Sequence, residues 1–197
     1  MGLFPLYHLF EYLSLNKERT KNLSEIRLQD GDLVFRQGRS MESYFVLAAD
    51  RSATYSHVGI VYKMDNENFV IHAVPGESRS GLDYVKCEKL PDFLEVKKAR
   101  QVAVYRLNTE QAKTTAAKAS KKGHSYFEKN LLFDDRYDLR SDTKLYCTEL
   151  VWKAFLAAGI DLTEGSLSIV NVPLIKKEII LPGIFINSTL LTKIYEF

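Results

Sequence analysis

Cys147, His57 and His72 are the residues of this chain whose types could work together as a reactive set. A cysteine nucleophile needs a base that reaches its sulfur, and that base usually needs a third polar group to orient it. Cys147 opens the run Cys147-Thr148-Glu149-Leu150-Val151-Trp152-Lys153-Ala154-Phe155-Leu156-Ala157-Ala158-Gly159. Leu150, Val151, Ala154, Phe155 and Ala158 recur there at helical spacing, and Gly159 supplies a stop. The spacing therefore predicts a helix with Cys147 in its first turn, where unpaired amides and the positive end of the dipole favour a thiolate. An imidazole on a strand could face that thiol across the core, take its proton and later protonate the leaving group. The oxyanion would then sit near the Cys147 amide.

Two blander readings of the same residues stand beside this one. Cys147 could be a small buried hydrophobe, with both histidines hydrogen-bonded inside a packed sheet. Cys, His and His could also bind zinc with one position open, although no two of them are at short motif spacing. Glu149 in the first helical turn reads as simple stabilisation of the dipole. His8 and His124 read as surface histidines, Cys87 as structural, and the adjacent Asp134 and Asp135 as side chains that point apart.

The elements that must position these groups follow from the pattern. His57-Val58-Gly59-Ile60-Val61-Tyr62 and Phe69-Val70-Ile71-His72-Ala73-Val74 read as strands, joined through the polar stretch 63–68 into a hairpin. Pairing Tyr62 with Glu67 sets His57 directly opposite His72, on one face. A slip of one residue would separate them. Leu33 to Arg36 and Gln101 to Leu107 are further strands, and Gly81 to Val85 a short edge strand. Met41 to Ala49 is a helix or an irregular segment, and Leu90 to Leu94 a turn around Pro91. Asn108 with Gln111 resembles a capping box for a mostly solvated helix that stops at Gly123. The apolar tail from Ile169 onward is expected to complete the core with short extended pieces. An arm is expected over residues 1–25, with Leu3 to Leu15 as a short amphipathic helix, followed by one domain over residues 26–197.

Composition narrows the function classes. At 197 residues and 46% hydrophobic content the chain can bury a sizeable core. A formal net charge of +2, with basic residues spread among 25 acidic ones, offers no stripe for nucleic acid. No apolar run approaches the roughly 20 residues of a membrane-spanning helix. The N-terminus lacks a basic region and a small-residue cleavage site, so it reads poorly as a signal peptide, and the compartment stays open. The two cysteines, Cys87 and Cys147, allow one disulfide and describe no disulfide scaffold.

Gly31-Asp32-Leu33-Val34-Phe35, Tyr55-Ser56-His57-Val58-Gly59-Ile60-Val61, Val70-Ile71-His72-Ala73-Val74 and Tyr146-Cys147-Thr148-Glu149-Leu150-Val151 resemble, in that order, the YiiX-like proteins. These are circularly permuted members of the NlpC/P60 superfamily of papain-like cysteine peptidases. The resemblance implies an α+β fold in which an antiparallel sheet bearing the histidine is followed by the cysteine-bearing helix packed against it. It implies Cys147 as nucleophile and His57 as base. The third position, often Glu in the permuted relatives, is His72 here. Tyr55 and Tyr146 flank the two reactive positions and are expected to line a substrate pocket. The function implied is a thiol hydrolase that cleaves an amide or ester bond through an acyl-enzyme, without a cofactor or metal. Its substrate would be a small peptide, an amino-acid conjugate or an acyl compound. Acyl transfer between lipids on the same fold, and a binding module with vestigial catalytic residues, are the alternatives.

Overall fold

The structure, a computed structural model, describes residues 14–15, 26–76, 81–172 and 175–197. Apart from the helical pair Ser14-Leu15, the arm expected over residues 1–25 lies outside the described residues.

Six antiparallel strands form the central sheet: β1 (Leu33–Gly38), β2 (His57–Met64), β3 (Glu67–Ala73), β4 (Val85–Lys89), β5 (Ala99–Leu107) and β10 (Leu191–Glu196), in the order β10-β5-β1-β2-β3-β4. Alternation along each strand divides its side chains between two cores, as a period of two requires. Leu33, Phe35, Val58, Ile60, Ile71, Ala73, Ala103 and Tyr105 face one core. Val34, Val61, Val70, Val102 and Val104 face the other.

Two helices cover the first face, α3 (Ala112–Glu128) and α4 (Cys147–Ala157). Leu150, Val151, Ala154 and Phe155 of α4 are all fully buried. Each large apolar side chain among them contributes about 1.5–3 kcal/mol by leaving water. The second face is covered by the short helix α2 (Leu90–Phe93) with Leu94 and Leu28. A helix, α1 (Met41–Ala49), links β1 to β2. The two-residue strands β6 (Leu132–Phe133) and β7 (Lys144–Leu145) pair in parallel just before α4. The antiparallel pair β8 (Ser168–Val172) and β9 (Ile175–Ile179), then α5 (Pro182–Ile186), lead to β10.

Three local expectations need correction. The helix α3 does not stop at Gly123 but runs to Glu128. A Cβ at Gly123 would lie 3.3 Å from Ile60 Cδ1, so the glycine serves the close approach of helix to sheet rather than termination. Ala116, Ala119, Ser120 and Tyr126 share that buried face, which makes α3 an amphipathic packing helix. The capping box is also absent: Gln111 occupies the N-cap without a side-chain bond, while the Asn108 amide donates to Thr189 O and Thr192 Oγ1. The edge strand begins only at Val85, four residues later than Gly81, and the segment around Pro91 is a helical turn.

Candidate functional site

Cys147 is the first residue of α4, and its neighbours fix that position. Tyr146 is extended at φ −98° and ψ 171°, the geometry of an N-cap. Its N–H donates to Glu149 Oε2 at 3.3 Å, and its carbonyl accepts the Leu150 N–H at 2.9 Å. Lys153 Nζ lies 3.0 Å from Glu149 Oε1, which partners a carboxylate that is wholly buried. The Cys147 thiol is free and half-buried. Burial pushes its pKa up; the amides of Val58, Thr148 and Cys147 itself, with the Thr148 side chain, pull the other way without overcoming it. Two of those amides, of Cys147 and Thr148, are the first N–H groups of α4, which have no intrahelical partner and can serve as donors to an oxyanion.

The histidines sit on the β2–β3 hairpin, whose register differs from the expected one by two residues. Met64 pairs with Glu67 and Ile60 with Ile71, so His72 stands opposite Gly59 rather than His57. The reason is the turn: Asp65 and Asn66 both have positive φ, 51° and 63°, which makes a tight two-residue connection instead of the longer loop. A shift of two preserves the face, and His57 reaches His72 on the diagonal across the gap that Gly59 leaves. His57 Nε2 lies 2.9 Å from His72 Nδ1. On the far side His72 Nε2 lies 3.1 Å from Glu88 Oε1, within reach of the carboxylate. The other oxygen of Glu88 is 3.1 Å from Lys98 Nζ.

The surroundings keep the two imidazoles from water. Phe93 packs against both imidazoles, with ring centroids 5.7 Å from His57 and 4.9 Å from His72. Arg36, directly paired with His57, lays its guanidinium over the same ring at 4.5 Å and donates to Phe93 O. Desolvation, then the charge of Arg36, then His72 and Lys86, hold the His57 pKa well below its usual value. Burial alone would raise the Glu88 carboxyl, but His72 and Lys98 outweigh it and bring it to about 2. The set therefore rests with Glu88 ionised, His57 neutral and Cys147 as a thiol.

The profile of the permuted papain-like amidase enzymes, the YaeF/YiiX or C92 family, matches residues 27–195. The chain belongs to this family. It is accordingly an enzyme, a cysteine amidase-type hydrolase on a permuted papain-like α+β fold. The crystal structure of the metalloprotein YiiX from Escherichia coli O157:H7 shares this fold, with a TM-score of 0.70 at 21% identity over 87% of this chain and 99% of that one. No curated protein matches the chain.

Within this permuted papain-like amidase the candidate groups are arranged differently from expectation. The two histidines do not face the thiol across the main core. They project from the opposite face of the sheet, beside Val61, Val70 and Phe93, while α4 packs on the first. Cys147 approaches the sheet at the start of β2: its Sγ takes the Val58 amide, and His57 is the preceding residue. The bonds of the sulfur run to these amides and to the Thr148 side chain.

Tyr55 and Tyr146, expected to line the pocket, are instead buried at 2% and 3% exposure. The Tyr55 hydroxyl donates to Glu196, and the Tyr146 hydroxyl accepts the Ile180 N–H at 3.0 Å. Both tie the C-terminal segment to the site. Tyr137 also lies within electrostatic reach of the thiol: its φ is 52°, its loop is held by Asp134 accepting from the Arg136 and Asp138 amides, and its ring packs on Tyr146 at 5.1 Å. Glu88, Arg36 and Phe93 were invisible as site residues because they come from three further elements. Cys87, on β4, is a free thiol packed on the main core, and burial pushes it up to about 11.

Proposed function

We propose that the enzyme hydrolyses an amide bond by thiol catalysis, with Cys147 as nucleophile, His57 as base and His72 orienting His57. The observation that carries this reading is the 2.9 Å contact between His57 Nε2 and His72 Nδ1, one residue from the Val58 amide that meets the thiol. It leaves Nδ1 as the imidazole nitrogen available to Cys147. On attack, the Sγ–carbon bond forms as His57 takes the thiol proton. The tetrahedral oxyanion is held by the Cys147, Thr148 and Val58 amides. Collapse breaks the carbon–nitrogen bond, and His57 protonates the departing amine. Water then adds to the thioester, giving its proton to His57, and the acid leaves as the Sγ–carbon bond breaks and the thiol regains its proton.

The related YiiX is a metalloprotein, but the donors here do not fit a shared metal. Two nitrogens bound to one zinc stand about 3.3 Å apart, with lone pairs turned to the ion, whereas His57 and His72 point their nitrogens at each other at 2.9 Å. Among the described residues no group of three or more His, Cys, Asp or Glu is placed to hold a metal ion. No helix among them is long and apolar enough to cross a membrane. The substrate class we favour is an amide of an amino acid or short peptide. A panel of N-acylated amino-acid and peptide anilides tests the reading: Cys147→Ala and His57→Ala should abolish the release of amine. Undiminished release from Cys147→Ala would overturn it.

A further inference from the structure

The contact chain does not end at His72. Glu88 divides its two oxygens between partners, Oε1 at 3.1 Å from His72 Nε2 and Oε2 at 3.1 Å from Lys98 Nζ. Its place is set by register: β4 pairs Val70 with Glu88 and His72 with Lys86, so Glu88 approaches His72 on the diagonal, as His57 does from the other side. His72 is fully buried between them. The charged and titratable groups that face this pair of imidazoles are Arg36 from β1, His57 from β2, and Lys86 and Glu88 from β4, with Lys98 behind Glu88.

A neutral imidazole has one N–H and one lone pair, and its neighbours decide which nitrogen carries which. A carboxylate only accepts, so Glu88 selects the His72 form with hydrogen on Nε2. Nδ1 of His72 is then an acceptor, which selects hydrogen on Nε2 of His57. That leaves the lone pair of His57 on Nδ1, the nitrogen not engaged with His72. We propose that Glu88 is a positioning residue whose carboxylate, acting through His72, fixes the tautomer of His57 and leaves Nδ1 as the base for Cys147. When His57 becomes an imidazolium, the same carboxylate is the nearest counter-charge on the histidine chain. The proposal rests on Cys147 and His57 acting as described above, but its first readout does not require activity.

The experiment begins with histidine-labelled protein at pH 7, where long-range nitrogen–proton NMR reads the tautomer of each ring. The expected result is hydrogen on Nε2 of both His72 and His57. Hydrogen on Nδ1 of His72 in the wild type would overturn the proposal without any variant. Alkylation of Cys147 by iodoacetamide, measured with Cys87→Ser, is the second readout. In Glu88→Leu the tautomer preference should be lost and alkylation at pH 7 should fall about tenfold, the difference between a charge-assisted and an unmade hydrogen bond. Glu88→Gln, which keeps an acceptor oxygen but no charge, should fall in between. A purely structural Glu88 would lower the melting temperature and leave both readouts at wild-type values in the folded variant, which would contradict the proposal. Failure of the parent reading looks different: His57→Ala would then alkylate like the wild type while the tautomers still answered to Glu88.

Discussion

Replacing Gly59 with alanine should damage both the fold and the histidine pair, by an amount the structure bounds. The backbone at Gly59 is outside the left-handed region, so the substitution carries no backbone penalty and its effect is steric alone. A Cβ there would lie 2.4 Å from Val70 Cγ1, 2.9 Å from Ile71 O and 3.1 Å from His72 Cβ. Val70 is fully buried and cannot swing into solvent, and Ile71 O belongs to the hairpin ladder. Relief therefore requires β2 and β3 to part by several tenths of an ångström, an overpacking cost of about 1–3 kcal/mol. For a chain of this size that is a fall in melting temperature of about 2–12 °C. The same displacement moves His72 from the diagonal that His57 needs, so iodoacetamide alkylation of Cys147 at pH 7 should fall about tenfold in protein that remains folded. Thermal unfolding by circular dichroism and an alkylation time course measure the two effects. A variant with an unchanged melting temperature and an unchanged alkylation rate would refute the packing argument.

Two further outcomes follow from the titrating groups. Because His57 is held well below its usual pKa, it stays neutral as pH falls through 6.5, and kcat/KM for hydrolysis should show no fall centred there; a fall centred at 6.5 or above would contradict this. Glu149 is raised from 4.5 to about 7, chiefly by desolvation, so the folded state holds a proton there that the unfolded chain releases. Stability from this group is highest below pH 4.5 and declines as pH rises to about 7, by roughly 3 kcal/mol in all. Urea unfolding should therefore show Glu149→Gln gaining on the wild type between pH 4.5 and 8, and parallel curves would refute it.

Much of this arrangement was legible in the chain because periodicity reports faces. The β-branched runs around His57 and His72 located both strands, and the helical spacing after Cys147 located α4 with its cysteine in the first turn. Register was harder, because Asp65-Asn66 lacks the glycine that usually marks a two-residue turn, yet both residues adopt positive φ. The face survived the error since a shift of two keeps parity. Glu88 is hidden for a different reason: Val85-Lys86-Cys87-Glu88-Lys89 has weak strand character, and the pattern puts the strand four residues earlier. Gly123 misled because a glycine that ends a helix and one that admits a close neighbour look alike in sequence. Tyr55 and Tyr146 adjoin the reactive residues along the chain, but alternation and helix entry turn their rings into the core.

The most direct measurement is the site of the covalent intermediate. Brief exposure of the enzyme to p-nitrophenyl acetate, acid quench and peptide mass mapping should place the acetyl group on Cys147 in the wild type. His57→Ala should show the adduct much more slowly, and Cys147→Ser should show none on sulfur. An acetyl group found on Cys87, or turnover that continues in Cys147→Ala with no adduct at that position, would contradict the thiol mechanism.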